Sequence, residues 1–338
     1  RFDLELVIIT ANGWGEAGPG FSMFEQTMSW FGRKIPVLCG SLYALRDYKE
    51  NYEIKGYPQG KMYGRTIPEK NLFDISIMYS YAQYLPPTQL SQKVYNDNYI
   101  DLIMEKIYSI EGKFDVLSLG ALTDVFIIAK KLDEESKLDK MNYIYHLGGG
   151  FRIRDTVFTV KRSRKASYNI YLDPDAASEL LKRMSKRIYW ITANASESVQ
   201  FKLSDLKNAV LESPTPEGMF MYLIAKARLQ QGTDVPPNQL EDSLLIWDVV
   251  LILIYAYPEL IKTTKEYPIT INSKSKVKVI RKCDTTNVVY EYNNKLAEME
   301  INKEKGKKTN LIVDVHVEEL INKFYEIVKQ KEYGALCN

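Results

Sequence analysis

The sequence predicts an α/β fold: a mostly parallel open sheet with helices on both faces. Three observations predict it. Short aliphatic and β-branched runs such as Val7-Ile8-Ile9-Thr10 and Tyr143 to Leu147 read as strands buried on both faces. Several of these runs lead into glycine or polar loops and then into helical spacing. The strand–loop–helix order repeats along the chain, as parallel strands joined by crossovers require. At 338 residues the chain can bury a large core, and residues 1–338 are expected to form one domain.

The elements follow in order. Val7 to Thr10 is a strand, and the Gly-rich loop Ala11-Asn12-Gly13-Trp14-Gly15 comes after it. Phe21 to Phe31 has helical spacing, with Gly32 placed to cap its end. Ile35 to Gly40 reads as a second strand, and a polar loop with Gly56, Pro58, Gly60 and Gly64 follows. Tyr99 to Ile110 is a helix, Phe114 to Leu119 a strand, and Leu122 to Lys131 a helix. Tyr143 to Leu147 is the next strand and ends in Gly148-Gly149-Gly150. Tyr168 to Leu172 reads as the end of a strand running into a helix over Pro174 to Met184, with proline in the favoured first turn.

Arg187 to Thr192 is a strand, and Ser204 to Asn208 and Glu217 to Gln231 are helices. Pro236-Pro237 breaks the chain before an apolar helix from Leu244. Val277 to Arg281 and Val288 to Tyr292 form a hairpin, Leu311 to Val317 a strand, and Glu318 to Lys329 an amphipathic closing helix. The Lys-rich run 302–308 reads as a solvated loop.

Composition narrows the function classes. The chain is 45% hydrophobic and 26% charged, as folded globular proteins are. With a net charge of +2, nothing argues for nucleic acid or an anionic membrane as a partner, and neither is expected. The apolar run Leu244 to Tyr257 contains Asp248 and is too short for a membrane span. Three widely spaced cysteines form no CxxC pair, so a zinc or redox motif is not expected. Of the two histidines, His146 precedes the glycine run and is placed to line a site, whereas His316 reads as structural. Arg1 to Leu6 lacks the pattern of a signal peptide, and an opening inside a strand pattern is expected of a processed or incompletely recorded N-terminus. The abundance of Lys, Ile, Tyr and Asn resembles that of an AT-rich parasite genome, and the compartment stays open.

The stretch Leu147 to Ala177 concentrates the functional signal. It sets a glycine run and Asn169 at the carboxyl edge of a parallel sheet, where open α/β folds bind ligands. It contains neither a GxGxxG fingerprint nor a phosphate loop. Val7 to Gly13, Ile35 to Gly40, Leu119-Gly120-Ala121-Leu122-Thr123-Asp124, Leu147-Gly148-Gly149, Tyr168 to Ala177, and Trp247-Asp248 before Pro258-Glu259-Leu260 occur in this order. As an ordered set, covering residue 4 to about 329, they resemble the inosine–uridine-type nucleoside hydrolases.

The resemblance implies a chemistry to ask about. Members of that family cleave the N-glycosidic bond of a ribonucleoside. A Ca²⁺ ion holds the ribose hydroxyls and a water, and an Asp takes the water's proton. Carried over residue by residue, Asp248 and the carbonyl of Leu119 are the implied metal ligands, and Asn12 and Asn169 the implied ribose-binding residues. Asp248, in an otherwise apolar stretch, is expected to be buried with a partner or to cap a helix start. The family's Asp-rich first-strand motif is not found in this sequence and would precede Arg1. Ser167 stands where the family has a ribose-contacting Glu, and Trp247 where it has a base-activating His. Asp124 replaces an Asn and reads as tuning of a helix start.

The implied protein is therefore a catalytically degenerate member acting through a protein or ligand partner, with no cofactor expected. The alternative is an active calcium-dependent N-ribohydrolase that binds nucleoside or ribose, with Ca²⁺ as its cofactor. A homo-oligomer is the family expectation.

Overall fold

A computed structural model describes residues 3–10, 17–41, 44–45, 98–151, 166–230, 242–273, 278–280, 289–291 and 297–330. Asn12, the loop at 11–15, the loop at 56–68 and the Pro236-Pro237 break lie outside the described residues.

The strands are β1 (Val7–Ile9), β2 (Val37–Cys39), β3 (Phe114–Ser118), β4 (Met141–Leu147), β5 (Ile188–Ile191), β6 (Phe201–Lys202), β7 (Ser243–Leu244), β8 (Ile261–Ile271), β9 (Lys278–Ile280), β10 (Val289–Glu291), β11 (Met299–Ile301) and β12 (Lys307–Val315). The helices are α1 (Ala17–Trp30), α2 (Tyr99–Ser109), α3 (Thr123–Glu134), α4 (Tyr168–Leu172), α5 (Pro174–Met184), α6 (Ala193–Glu197), α7 (Leu203–Glu212), α8 (Pro216–Gln230), α9 (Trp247–Ala256) and α10 (Val317–Lys329).

A six-stranded sheet in the order β11-β8-β12-β5-β4-β3 forms the centre. Strands β12, β5, β4 and β3 are parallel, and β8 and β11 add an antiparallel edge. One apolar cluster packs α2, α3 and α5 against Met141, Ile144, Ile188, Trp190 and Leu311. A separate parallel pair, β1-β2, sets Ile8 and Leu38 against this cluster. The other cluster packs α7, α9 and α10 against Leu147, Ile191, Ile312 and Val315 on the opposite face. Alternate residues of β4 and β5 feed the two clusters, as the period of two in a strand dictates.

Local chemistry explains the boundaries. Gly32 (φ +66°) ends α1 in the left-handed region. Its N–H donates to Ser29 O and the Arg33 N–H to Met28 O, the paired bonds that satisfy helix-end carbonyls. Asp173 caps α5 by accepting from the Ala176 N–H at 2.9 Å, with Pro174 in the first turn.

Some elements differ from the sequence reading. Tyr168–Leu172 is a helical turn rather than a strand end. The Tyr171 N–H closes the turn on Ser167 O at 2.9 Å, a bond to the fourth residue back that an extended strand cannot make. The chain stays extended at Ser243–Leu244, paired with β6, so the apolar helix starts at Trp247 and not at Leu244. Lys307 and Lys308 belong to β12 and pair with Ile269 and Pro268, so the Lys-rich run is only partly a loop. Strand β8 had no counterpart in the sequence reading. It is an antiparallel strand whose Lys-Thr-Thr-Lys-Glu stretch faces solvent at most positions, so no long apolar run marks it.

Candidate functional site

The register of the parallel strands places Ser118, His146 and Trp190 side by side near their carboxyl ends. The next backbone carbonyls on two of these strands, from Leu119 and Leu147, meet one side chain. Asn169 Nδ2 donates to Leu119 O at 3.0 Å and to Leu147 O at 2.9 Å. Both partners can only accept, so the amide NH₂ must face them. Asn169 Oδ1 makes no hydrogen bond among the described residues and remains an acceptor at the sheet edge. The helical turn α4 is what presents Asn169 there, with Ser167 preceding it in extended conformation.

The glycine run comes next to this amide. The Gly148 N–H donates to Ile191 O at 2.9 Å, and Gly149 O accepts from the Ala193 N–H at 3.2 Å, which fastens the run to β5 and α6. A Cβ on Gly148 would lie 2.8 Å from His146 Nε2 and 2.8 Å from Ser167 Oγ, so no side chain fits. His146 is fully buried, packs edge-on against Trp190 at 5.3 Å, and sets Nδ1 3.0 Å from Ser118 Oγ. Burial lowers its pKa to about 3, so the imidazole is neutral.

Two buried carboxylates lie under the same edge. Asp124 Oδ1 accepts from the Ser41 N–H at 2.8 Å, tying the end of β2 to α3, and Asp124 Oδ2 is buried without a hydrogen-bond partner among the described residues. Burial raises the Asp124 pKa to about 6; the Ser41 N–H and Thr10 hydroxyl oppose that rise, and the charge of Asp173 adds to it. Asp173 Oδ2 accepts from Thr123 Oγ1 at 2.7 Å and from the Leu45 N–H at 2.9 Å. Burial raises the Asp173 pKa as well, against those hydrogen bonds. Asp124 thus does more than tune a helix start: with Asp173 it joins β1, β2, α3 and α5. Glu197, at the end of α6, is held up to about 7 by partial burial.

The remaining implied residues are placed as follows. Asp248 lies in the first turn of α9 and is exposed, which corrects the expectation of a buried carboxylate. The helix buries Val250, Leu251, Leu253 and Ile254, and Asp248 falls on its other side. An acid in the first turn suits the helix N-terminus. Leu119 is exposed at 40%, and its carbonyl meets Asn169. Asn12 lies outside the described residues. Sequence reasoning missed the His146 environment and the Asp124–Asp173 pair. The Asp173-Pro174 dipeptide, an N-cap followed by a first-turn proline, was the available signal for the latter.

The sequence pattern of the inosine-uridine preferring nucleoside hydrolases matches residues 1–322. The chain belongs to this family. Among solved structures, it is similar to an inosine-guanosine nucleoside hydrolase, with a TM-score of 0.67 and 12% identity over 95% of this chain and 90% of that one. A nucleoside hydrolase of Bacillus anthracis described as inosine-uridine preferring gives a TM-score of 0.65 and 14% identity, over 97% of this chain and 90% of that one. A plant nucleoside hydrolase gives 0.64 and 16% identity, over 97% of this chain and 99% of that one. At these identities the likeness shows the nucleoside hydrolase fold. Nucleoside hydrolase 4 of Arabidopsis thaliana is 24% identical over an alignment of 242 residues that covers 65% of this chain and 43% of that protein. The chain thus spans less than half the length of this curated relative.

The fit of the family's metal can be tested on the residues themselves. Calcium takes six to eight oxygen ligands. Leu119 O and the Asp248 carboxylate are the family-matched donors described, and Leu119 O already accepts from Asn169 at 3.0 Å. Among the described residues no group of three or more His, Cys, Asp or Glu side chains is arranged to hold a metal ion. The described donors therefore do not by themselves compose a calcium site.

Proposed function

We propose that this chain is a catalytically degenerate nucleoside hydrolase that retains a ribose-binding sheet edge and acts by binding. The observation that carries the reading is the Asn169 amide. Two strand-end carbonyls fix its NH₂, and this orients Oδ1 as an acceptor for a ligand hydroxyl. The bonds to both carbonyls hold the side chain before any ligand arrives, so little rotamer freedom is lost on binding.

Two positions that the family resemblance ties to ribose contact and leaving-base activation carry other residues in this sequence. A serine, Ser167, stands at the position where the family resemblance puts a ribose-contacting Glu. Trp247, whose indole cannot shuttle a proton at neutral pH, stands at the position of the base-activating His. The first change removes a charge and shortens the side chain, and the second removes a group able to transfer a proton. The reading includes Asn12 and Asn169 as ribose contacts and allows a second copy or another protein as partner.

Calorimetry with ribose, inosine and uridine, each with Ca²⁺ and with a chelator, tests it. The expected result is metal-independent binding without release of free base. A second reading is an active calcium-dependent N-ribohydrolase with Asp248 and the Leu119 carbonyl as ligands. It needs an acidic strand from a segment preceding Arg1. The unpaired edge of β3 among the described residues is what favours it.

A further inference from the structure

His146 is the only described histidine that is fully buried, and one of its nitrogens is unsatisfied among the described residues. Its hydrogen-bond roles follow from its neighbours. Ser118 Oγ donates to Gly120 O at 3.5 Å, a long bond that leaves the Ser118 oxygen to accept from His146 Nδ1–H at 3.0 Å. The neutral ring then carries its proton on Nδ1, and Nε2 is an acceptor. Nε2 is buried and has no partner among the described residues. An unpaired buried acceptor is costly, so a fold retains one where a donor arrives from elsewhere.

The available donor is Ser167. Its Oγ caps no helix N–H. Ser167 is partly exposed, whereas His146 behind it is not. The missing Cβ of Gly148 keeps open the space between them, because a carbon there would be 2.8 Å from each atom. Ser167 is two residues from Asn169, so the hydroxyl and the Asn169 acceptor belong to one edge.

We propose that His146 is a positioning residue for the ligand held at this edge. Its Nε2 accepts a hydrogen bond relayed from the Ser167 hydroxyl through one water in the gap beside Gly148, and so turns the Ser167 oxygen toward a ligand hydroxyl as an acceptor. The relay runs from ligand hydroxyl to Ser167, His146, Ser118 and the Gly120 carbonyl. It supplies an uncharged acceptor for a polyol such as ribose. No proton changes owner, so the arrangement does not depend on pH across the neutral range. The ligand part of this inference rests on the ribose-binding reading; the His146–Ser167 link does not.

The test uses the whole chain labelled with ¹⁵N-histidine, whose two histidines make the ring spectrum simple to assign. In the ligand-free protein, His146 is expected as the Nδ1–H tautomer with a hydrogen-bonded Nε2, and Ser167→Ala is expected to move the Nε2 resonance alone. An Nε2–H tautomer, or an Nε2 shift untouched by Ser167→Ala, overturns the link whether or not any ligand binds. Ribose and inosine are then titrated by calorimetry into wild type, Ser167→Ala, His146→Phe and the double variant. Each single change is expected to weaken binding about tenfold, the worth of one hydrogen bond, and the double change no more than either alone. Additive losses, or wild-type affinity in His146→Phe, overturn the positioning role. If wild type binds neither ligand, the ribose-binding reading fails, together with the ligand part of this inference, and the ligand-free spectra still decide the link. Ser167→Thr, which keeps the hydroxyl, is expected to restore the Nε2 shift if the variant proteins remain folded.

Discussion

Replacing Asp124 by Asn should stabilise the protein at alkaline pH and destabilise it slightly, by about 1 kcal/mol, at acid pH. Asp124 is fully buried, with one oxygen on the Ser41 N–H and the other unpartnered among the described residues. Its pKa rises from 3.8 to about 6, chiefly through burial. A pKa unit is worth about 1.4 kcal/mol, so the ionised form costs about 3 kcal/mol relative to the unfolded chain. The folded value lies above the unfolded one. The favourable contribution is therefore fully present below about pH 4 and is lost as pH rises through about 6.

Asparagine keeps the acceptor for Ser41 and removes the charge, including its repulsion with Asp173. Its NH₂ would replace the unpartnered oxygen and leave about 1 kcal/mol of donor capacity unmet. The net gain expected at pH 8 is about 2 kcal/mol. Urea unfolding at pH 4.5 and pH 8 measures it. Destabilisation at pH 8, or an equal effect at both values, would refute the account of Asp124 as a buried, charge-strained link between β2 and α3.

Other perturbations follow from the same edge. Asn169→Asp sets a carboxylate oxygen against the Leu119 and Leu147 carbonyls in place of two donated bonds; it should destabilise by about 2 kcal/mol and abolish ribose binding, checked by urea unfolding and calorimetry. Asn169→Ala should lose the binding with a smaller stability loss, which separates the two effects. Gly148→Ala should cost at least about 1 kcal/mol, because its Cβ meets His146 and Ser167; an unchanged thermal midpoint would contradict the packing described. Trp190→Phe removes the indole N–H bond to Thr309 Oγ1, which is 3.0 Å long, and part of a fully buried ring; about 2–3 kcal/mol should be lost in denaturant unfolding.

Much of the fold was legible because buried parallel strands announce themselves. The runs at β1, β3, β4 and β5 are short and apolar, and glycine, proline or helix caps punctuate the chain after them. Legibility failed where pairing, not composition, decides. Strand β8 lies on the antiparallel side of the sheet and carries Lys, Thr and Glu on solvent-facing positions, so its apolar content stays below that of the parallel strands. Tyr168–Leu172 has strand-forming side chains, yet the contact of Asn169 with two carbonyls and the Tyr171 N–H bond to Ser167 O hold it as a helical turn.

The site was legible in part for a similar reason. Asn169 could be placed at the edge from the strand–glycine–loop order. Asp248 departs from expectation because an apolar run suggests burial all round, whereas α9 buries one side. The partners of Asp124 and His146 come from β2 and β3, far away in sequence, and no local pattern reveals such contacts.

The most direct measurement of the central claim is a paired one: calorimetric binding of inosine, and release of free hypoxanthine from the same sample, each with Ca²⁺ and with a chelator. The account predicts inosine binding of equal affinity in both conditions and no hypoxanthine above the spontaneous rate. Hypoxanthine release that appears with Ca²⁺ and vanishes with the chelator would contradict it.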